Sequence, residues 1–123
     1  MRIGVDIVSV ARIAHSLSVS TSFVQEVFSS GEREYAERLP TLRAHEFLAG
    51  RFAVKEAVLK ALHLGIEDPT RMKEIEAYSE ADGHPCLRLT GSVLQIASEN
   101  GYSDLQVSIS HDAGVAIALV LLC

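Results

Sequence analysis

The chain has 123 residues, 48% of them hydrophobic and 22% charged, a balance that suits one globular domain over 1–123. A net charge of -5 excludes a general nucleic-acid binder, which needs surplus Lys and Arg facing phosphates. The longest apolar run, Val115 to Cys123, is about half the length that a membrane-spanning helix needs, so no membrane contact is expected.

Arg2 to Val8 alternates, with Ile3, Val5 and Ile7 on one face and Arg2, Gly4 and Asp6 on the other, which predicts a strand. Ser9 is placed to cap a short helix with an apolar stripe of Val10, Ile13, Ala14 and Leu17, leaving Arg12 and His15 on its other side. Residues 20–38 read as helix in short pieces, broken at Ser30-Gly31. The strongest helix is predicted from Thr41 to Leu64, with Pro40 before it, Gly65 at the left-handed position after it, and a stripe of Phe47, Val54, Val58 and Ala61. A loop around Glu67 to Arg71 leads to a strand near Glu74 to Ser79. The Asp-Gly of the turn Ala81-Asp82-Gly83-His84 then signals a hairpin.

Thr90 is placed to cap a helix ending at Gly101, and Leu105 to Ser110 alternates again. After a turn at Asp112-Ala113-Gly114, the strand Val115 to Leu122 is apolar at every position. Such a strand is covered on both faces, and in so small a domain the second cover is expected from another subunit. The sum is an α+β fold: an antiparallel sheet packed on one long helix plus shorter helices.

Cys86 and Cys123 form no Cys-x-x-Cys, and the five histidines show no zinc spacing, so reduced thiols and no zinc site are expected. The N-terminus lacks an apolar stretch with a cleavage site, which points to a cytoplasmic protein.

Three segments can carry chemistry. Asp6 sits near the end of an apolar strand, where Asp is depleted, and Gly4 two residues earlier leaves room for a close approach. It is either a solvent-facing or capping carboxylate, or a metal ligand or base at a strand end. On the long helix Phe52, Glu56, Lys60 and His63 line one face. Glu56 and Lys60 are either a solvated ion pair or a cation-holding carboxylate with an ammonium one turn away for phosphate oxygens. Arg51 and Lys55 add charge on a neighbouring face, giving a cation density suited to a polyanion. Last, Ser108-Ile109-Ser110-His111-Asp112 ends a strand at a turn. Its polar groups can bond the turn or a phosphate; a Ser110–His111 hydrolase is the other option, without a Gly-x-Ser-x-Gly elbow to support it.

Together, Gly4-Val5-Asp6-Ile7-Val8, the run Phe47 to Ala61 containing Phe52-Ala53-Val54-Lys55-Glu56-Ala57-Val58-Leu59-Lys60, and Val107-Ser108-Ile109-Ser110-His111-Asp112 closely resemble the blocks of the holo-acyl-carrier-protein synthase family. The Gly-x-Asp and Phe-x-x-Lys-Glu-Ala-x-x-Lys signatures are shared across phosphopantetheinyl transferases. With Asp82-Gly83-His84-Pro85 the resemblance covers nearly the whole chain, and one copy of each block looks like the small bacterial, trimeric type. The resemblance implies the phosphopantetheinyl transferase fold and transfer of 4′-phosphopantetheine from coenzyme A to a carrier serine, in fatty acid biosynthesis. Asp6 and Glu56 would bind Mg²⁺ (or Mn²⁺), and Lys60 would act with them on the phosphates. Arg51 and Lys55 would hold the nucleotide half, Gly83, His84 and Pro85 would pack near the adenosine, and Ser110 and His111 would face the cofactor. In the family's homotrimers the cofactor lies between subunits. The implied protein partner is an acyl carrier protein or carrier domain docking near Arg12. The acidic net charge makes electrostatic steering of that acidic partner modest.

Overall fold

A computed structural model of the protein describes residues 1–65 and 70–123. The strands are β1 (Arg2–Ser9), β2 (Ile75–Ser79), β3 (Pro85–Leu89), β4 (Leu105–Asp112) and β5 (Val115–Leu122). The helices are α1 (Val10–Val19), α2 (Thr21–Val27), α3 (Ser30–Glu37), α4 (Thr41–Ala61), α5 (Thr70–Lys73) and α6 (Gly91–Glu99). Most of the loop expected around Glu67 to Arg71 lies outside the described residues, and Thr70 and Arg71 belong to α5.

Every strand pairing is antiparallel: β1-β5-β4 form one sheet and β2-β3 a separate hairpin. β4 and β5 are joined by Ala113-Gly114, both with positive φ, the backbone that a two-residue hairpin favours. Small inner residues on β5, Ala116 and Ala118, let α4 lie close across the sheet. α4 is buried on most sides through Ala49, Ala53, Val54, Ala57, Val58, Leu59 and Ala61. A single stripe of Phe47, Val54, Val58 and Ala61 therefore understates it: this helix is the axis of the core.

Local sequence explains most boundaries. Ser9 caps α1 by accepting from the Arg12 amide. The break in residues 20–38 falls at Phe28-Ser29, and Ser30-Gly31 opens α3 instead, because Ser29 and Glu32 form a reciprocal capping box. α4 ends at Ala61, three residues before the expected end. His63, not Gly65, takes the left-handed position with φ 58°, its amide bonding Lys60 O and that of Leu64 bonding Leu59 O. Thr90 does not cap α6 with its side chain; the Glu74 carboxylate does so, accepting from Val93 N at 3.1 Å.

The sheet's two faces decide where chemistry can sit. The Gly4–Asp6–Val8 face of β1 turns toward α4, while Ile3, Val5 and Ile7 are 66%, 50% and 64% exposed. They align in register with Leu121, Leu119 and Ile117 on β5, so the outer face carries a continuous aliphatic surface. Within one chain β5 is covered on its inner face only.

Candidate active site

Four charged side chains are buried among the described residues: Asp6, Glu32, Arg51 and Lys55, each 8% exposed or less. Ionised groups persist in that setting only when partnered, so their partners sort them. The Lys55 ammonium contacts Glu32 Oε1 at 2.8 Å, Met72 O at 2.9 Å and Ile75 O, which saturates its three donors. Glu32 in turn accepts from the Ser29 and Ala77 amides. This network ties α3, α4, α5 and β2 together. Lys55, expected at the nucleotide, has its amino group enclosed and bonded to protein oxygens in the single chain.

Asp6 and Arg51 differ, because each keeps a buried atom without a partner, Asp6 Oδ2 and Arg51 Nε. Asp6 reaches the inner side of β1 because strand alternation puts it on the Gly4 face. There Lys60 Nζ donates to Asp6 Oδ1 at 2.8 Å and to Val5 O at 3.2 Å. Glu56, one turn before Lys60, lies within hydrogen-bonding reach of Asp6. Burial first, then the Asp6 charge, raise its carboxyl from 4.5 to about 7, although Lys60 and Arg12 pull the other way. A proton on Glu56 can be shared with the Asp6 carboxylate. With Glu56 ionised, two carboxylates face each other, and a divalent cation relieves that repulsion.

No cluster of three or more acidic, His or Cys ligands occurs among the described residues. Two carboxylates are nevertheless the donor set by which Mg²⁺ is commonly held, the remaining positions going to water and substrate phosphates. The orphaned Asp6 oxygen and the raised Glu56 therefore fit a hard divalent cation. Beside Glu56 opens a hollow of about 400 Å³ lined by Arg12 and the apolar Ile7, Val8, Ile13, Phe23 and Phe52.

Arg51 marks a second location. Its guanidinium lies 4.4 Å over the Phe47 ring and donates to Ser79 Oγ at 3.2 Å. It lines a cleft of about 230 Å³ with Arg43, Glu46, Gly83, Pro85 and His111. His111 Nδ1 stands 3.2 Å from Glu46 Oε2. The structure thus brings together Arg51, Gly83, Pro85 and His111 from three separate blocks. His84 does not line this cleft, because its exposed ring pairs with Asp82. Ser110 lies on the outer face, opposite Ile117, whereas His111 turns inward. A Ser110–His111 hydrolase pair is thereby excluded within one chain. Sequence reading missed Arg43 and Glu46; the helical spacing 43, 46, 47, 50, 51 was the available signal.

The two locations flank α4. Asp6 pairs with Ala118 and Ala118 with Ile109, so β1 and β4 stand about 10 Å apart across β5. The carboxylate pair and the Arg51 cleft share no lining residue. A family model described as the 4′-phosphopantetheinyl transferase superfamily matches residues 2–120. The chain is a member of that superfamily.

The chain is similar to several holo-[acyl-carrier-protein] synthases. A holo-[acyl-carrier-protein] synthase of Desulfovibrio desulfuricans is 42% identical over 121 residues, 98% of this chain and 94% of that one. The crystal structure of a Bacillus anthracis holo-(acyl-carrier-protein) synthase in complex with CoA (3′,5′-ADP) superimposes with TM-score 0.81 at 33% identity, covering 98% and 94% of the two chains. A Helicobacter pylori holo-[acyl-carrier-protein] synthase in complex with coenzyme A gives TM-score 0.79 at 31% identity, covering 98% and 99%. The chain is an enzyme of this transferase class, with the α+β fold expected from its pattern.

Proposed function

We propose that the protein transfers 4′-phosphopantetheine from coenzyme A to a serine of an acyl carrier protein or carrier domain, releasing adenosine 3′,5′-bisphosphate. The observation that carries this reading is the pair of unpartnered buried atoms, Asp6 Oδ2 and Arg51 Nε. One asks for a cation and the other for an acceptor, as the metal-bound pyrophosphate and the phosphorylated nucleoside of one ligand supply. The coenzyme A complexes of the relatives supply the matching ligand.

Asp6 and Glu56 would hold Mg²⁺, with Mn²⁺ as an alternative, and the bound ion would offset charge on the pyrophosphate. Lys60, whose side chain is 57% exposed, has an amino group accessible to phosphate oxygens while it touches Asp6. Arg51, with Gly83, Pro85 and His111, would seat the nucleotide. In the reaction the serine oxygen forms a bond to the β-phosphorus as the bond to the leaving phosphate breaks. The serine proton passes to Glu56 or to a water held by Asp6. Since the two half-sites flank α4, one ligand would join the carboxylates of one chain to the cleft of the next. The aliphatic outer face of β1 and β5 supports the trimer this requires, and its Ser110 would then face a neighbouring chain.

Carrier docking is assigned to the hollow around Arg12, where five apolar side chains border one cation. Apolar contact, or tethering of the carrier in a larger synthase, then supplies the affinity that the acidic net charge does not. Reduced Cys86 and Cys123 accord with action in the cytoplasm.

Mass spectrometry of an apo carrier incubated with the protein, coenzyme A and Mg²⁺ tests the reaction. A gain of one phosphopantetheine group is expected, and no gain on any carrier or carrier domain would overturn the reading.

A further inference from the structure

Gly4 lies on the face of β1 that packs against α4, and its backbone has no positive φ that would call for glycine. Space is the reason. A Cβ added there would stand 2.0 Å from Ala57 O, 2.9 Å from Ala57 C and 3.1 Å from Ala61 Cβ. The first two are backbone atoms of the helix core, so no rotamer change relieves them. Carbon–oxygen contacts settle near about 3.3 Å or more, so any larger residue displaces β1 from α4 by about 1 Å.

The consequence falls on the carboxylates. Asp6 is two residues along the same face, and Glu56 immediately precedes Ala57. Ala57 and Ala61 enclose the turn that carries Lys60. We infer that Gly4 is a positioning residue: by letting the strand touch the helix backbone, it sets the separation of Asp6 from Glu56 at the value Mg²⁺ requires. The inference rests on the reading of Asp6 and Glu56 as the cation pair. Mg²⁺ tolerates little departure from oxygen distances of about 2.0–2.1 Å, whereas Ca²⁺ accepts about 2.3–2.6 Å in flexible geometry. A displaced strand therefore penalises the smaller ion more. By contrast, a Cβ added at Gly50, where α4 meets β4, would stand 3.1 Å from Ile109 Cγ2, a side-chain atom that can yield.

The test measures Mg²⁺ and Ca²⁺ affinities by calorimetry with coenzyme A present, for wild type, Gly4→Ala and Asp6→Asn, with circular dichroism confirming the fold. Gly4→Ala is expected to lose about tenfold or more in Mg²⁺ affinity and distinctly less in Ca²⁺ affinity, because it costs geometry and no ligand. Asp6→Asn is expected to weaken both ions. Wild-type affinities in folded Gly4→Ala, or equal loss for both ions, would overturn the positioning role. Unchanged Mg²⁺ binding in Asp6→Asn would instead sink the cation pair itself. Should Gly4→Ala fail to fold, Ala61→Val narrows the same gap from the helix side. The same bias against Mg²⁺ is expected in it, and unaltered affinities there would overturn the inference.

Discussion

Two carboxylate–ammonium contacts anchor α4 to its surroundings, five residues apart on the helix and both 2.8 Å long. Glu32–Lys55 is enclosed, and each oxygen and proton it offers is taken by protein. Asp6–Lys60 joins a buried carboxylate with an orphan oxygen to an amino group open to solvent. The shared length hides opposite roles. A saturated pair fixes one arrangement of four elements, and an open pair keeps capacity for a ligand that brings its own charges. Satisfaction of the surrounding atoms, rather than distance or charge, separates structure from chemistry here.

Breaking the enclosed pair gives the larger effect. Lys55→Met leaves the Glu32 carboxylate buried beside Ala77 without its cation, a loss of about 3–5 kcal/mol. Chemical denaturation is expected to show that drop, and the double variant with Glu32→Gln is expected to recover much of it. A Lys55→Met protein of wild-type stability but impaired coenzyme A binding would reverse the assignment. Lys60→Ala is expected to do the opposite. Its ammonium is open to solvent, so its ion pair is expected to contribute less to stability than the enclosed one, while loss of a donor aimed at developing phosphoryl charge is expected to slow transfer about a hundredfold. Steady-state kinetics beside a melting curve separates the two quantities.

How much of this was readable in the sequence follows from the same contrast. Strand alternation placed Asp6 and Gly4 on one face, and helical spacing placed Glu56 over Lys60, because both patterns are local. The family signatures added the proposal that Asp6 and Glu56 hold a metal, and pointed to the blocks that line the cleft. Arg51 and Lys55 looked equivalent as cations of one helix stripe, and only long-range contacts divide them: Lys55 meets a carboxylate 23 residues earlier in the chain (55 less 32), Arg51 a hydroxyl 28 residues later. The outward turn of Ile3, Val5 and Ile7 was equally hidden, since alternation names two faces without saying which one meets the core. Capping of α6 by Glu74 escaped notice for the same reason, as Thr90 occupied the expected position and the true partner came from 16 residues away.

The smallest expected effect sharpens the open pair through its proton. Glu56 titrates at 4.5 when unperturbed and at about 7 in the folded chain, raised by burial and by Asp6. A folded carboxyl that binds its proton more tightly than the unfolded one favours folding fully below about 4.5. That contribution is lost as pH rises through about 7. The melting temperature of the metal-free protein is therefore expected to decline over this window relative to Glu56→Gln, which cannot ionise. Mg²⁺ reverses the direction, because it favours the ionised pair: its affinity is expected to climb with pH and level off above about 7, with uptake of the ion releasing a proton below that point. The enclosed Glu32–Lys55 pair exchanges no proton with a ligand, so Lys55→Met is expected to leave the shape of the Mg²⁺ affinity profile unchanged while lowering stability. A metal-free melting curve whose difference from Glu56→Gln stays flat from pH 5 to 8 would show that the two carboxylates do not share a proton, and the distinction between a closed and an open pair would then rest on Asp6 alone.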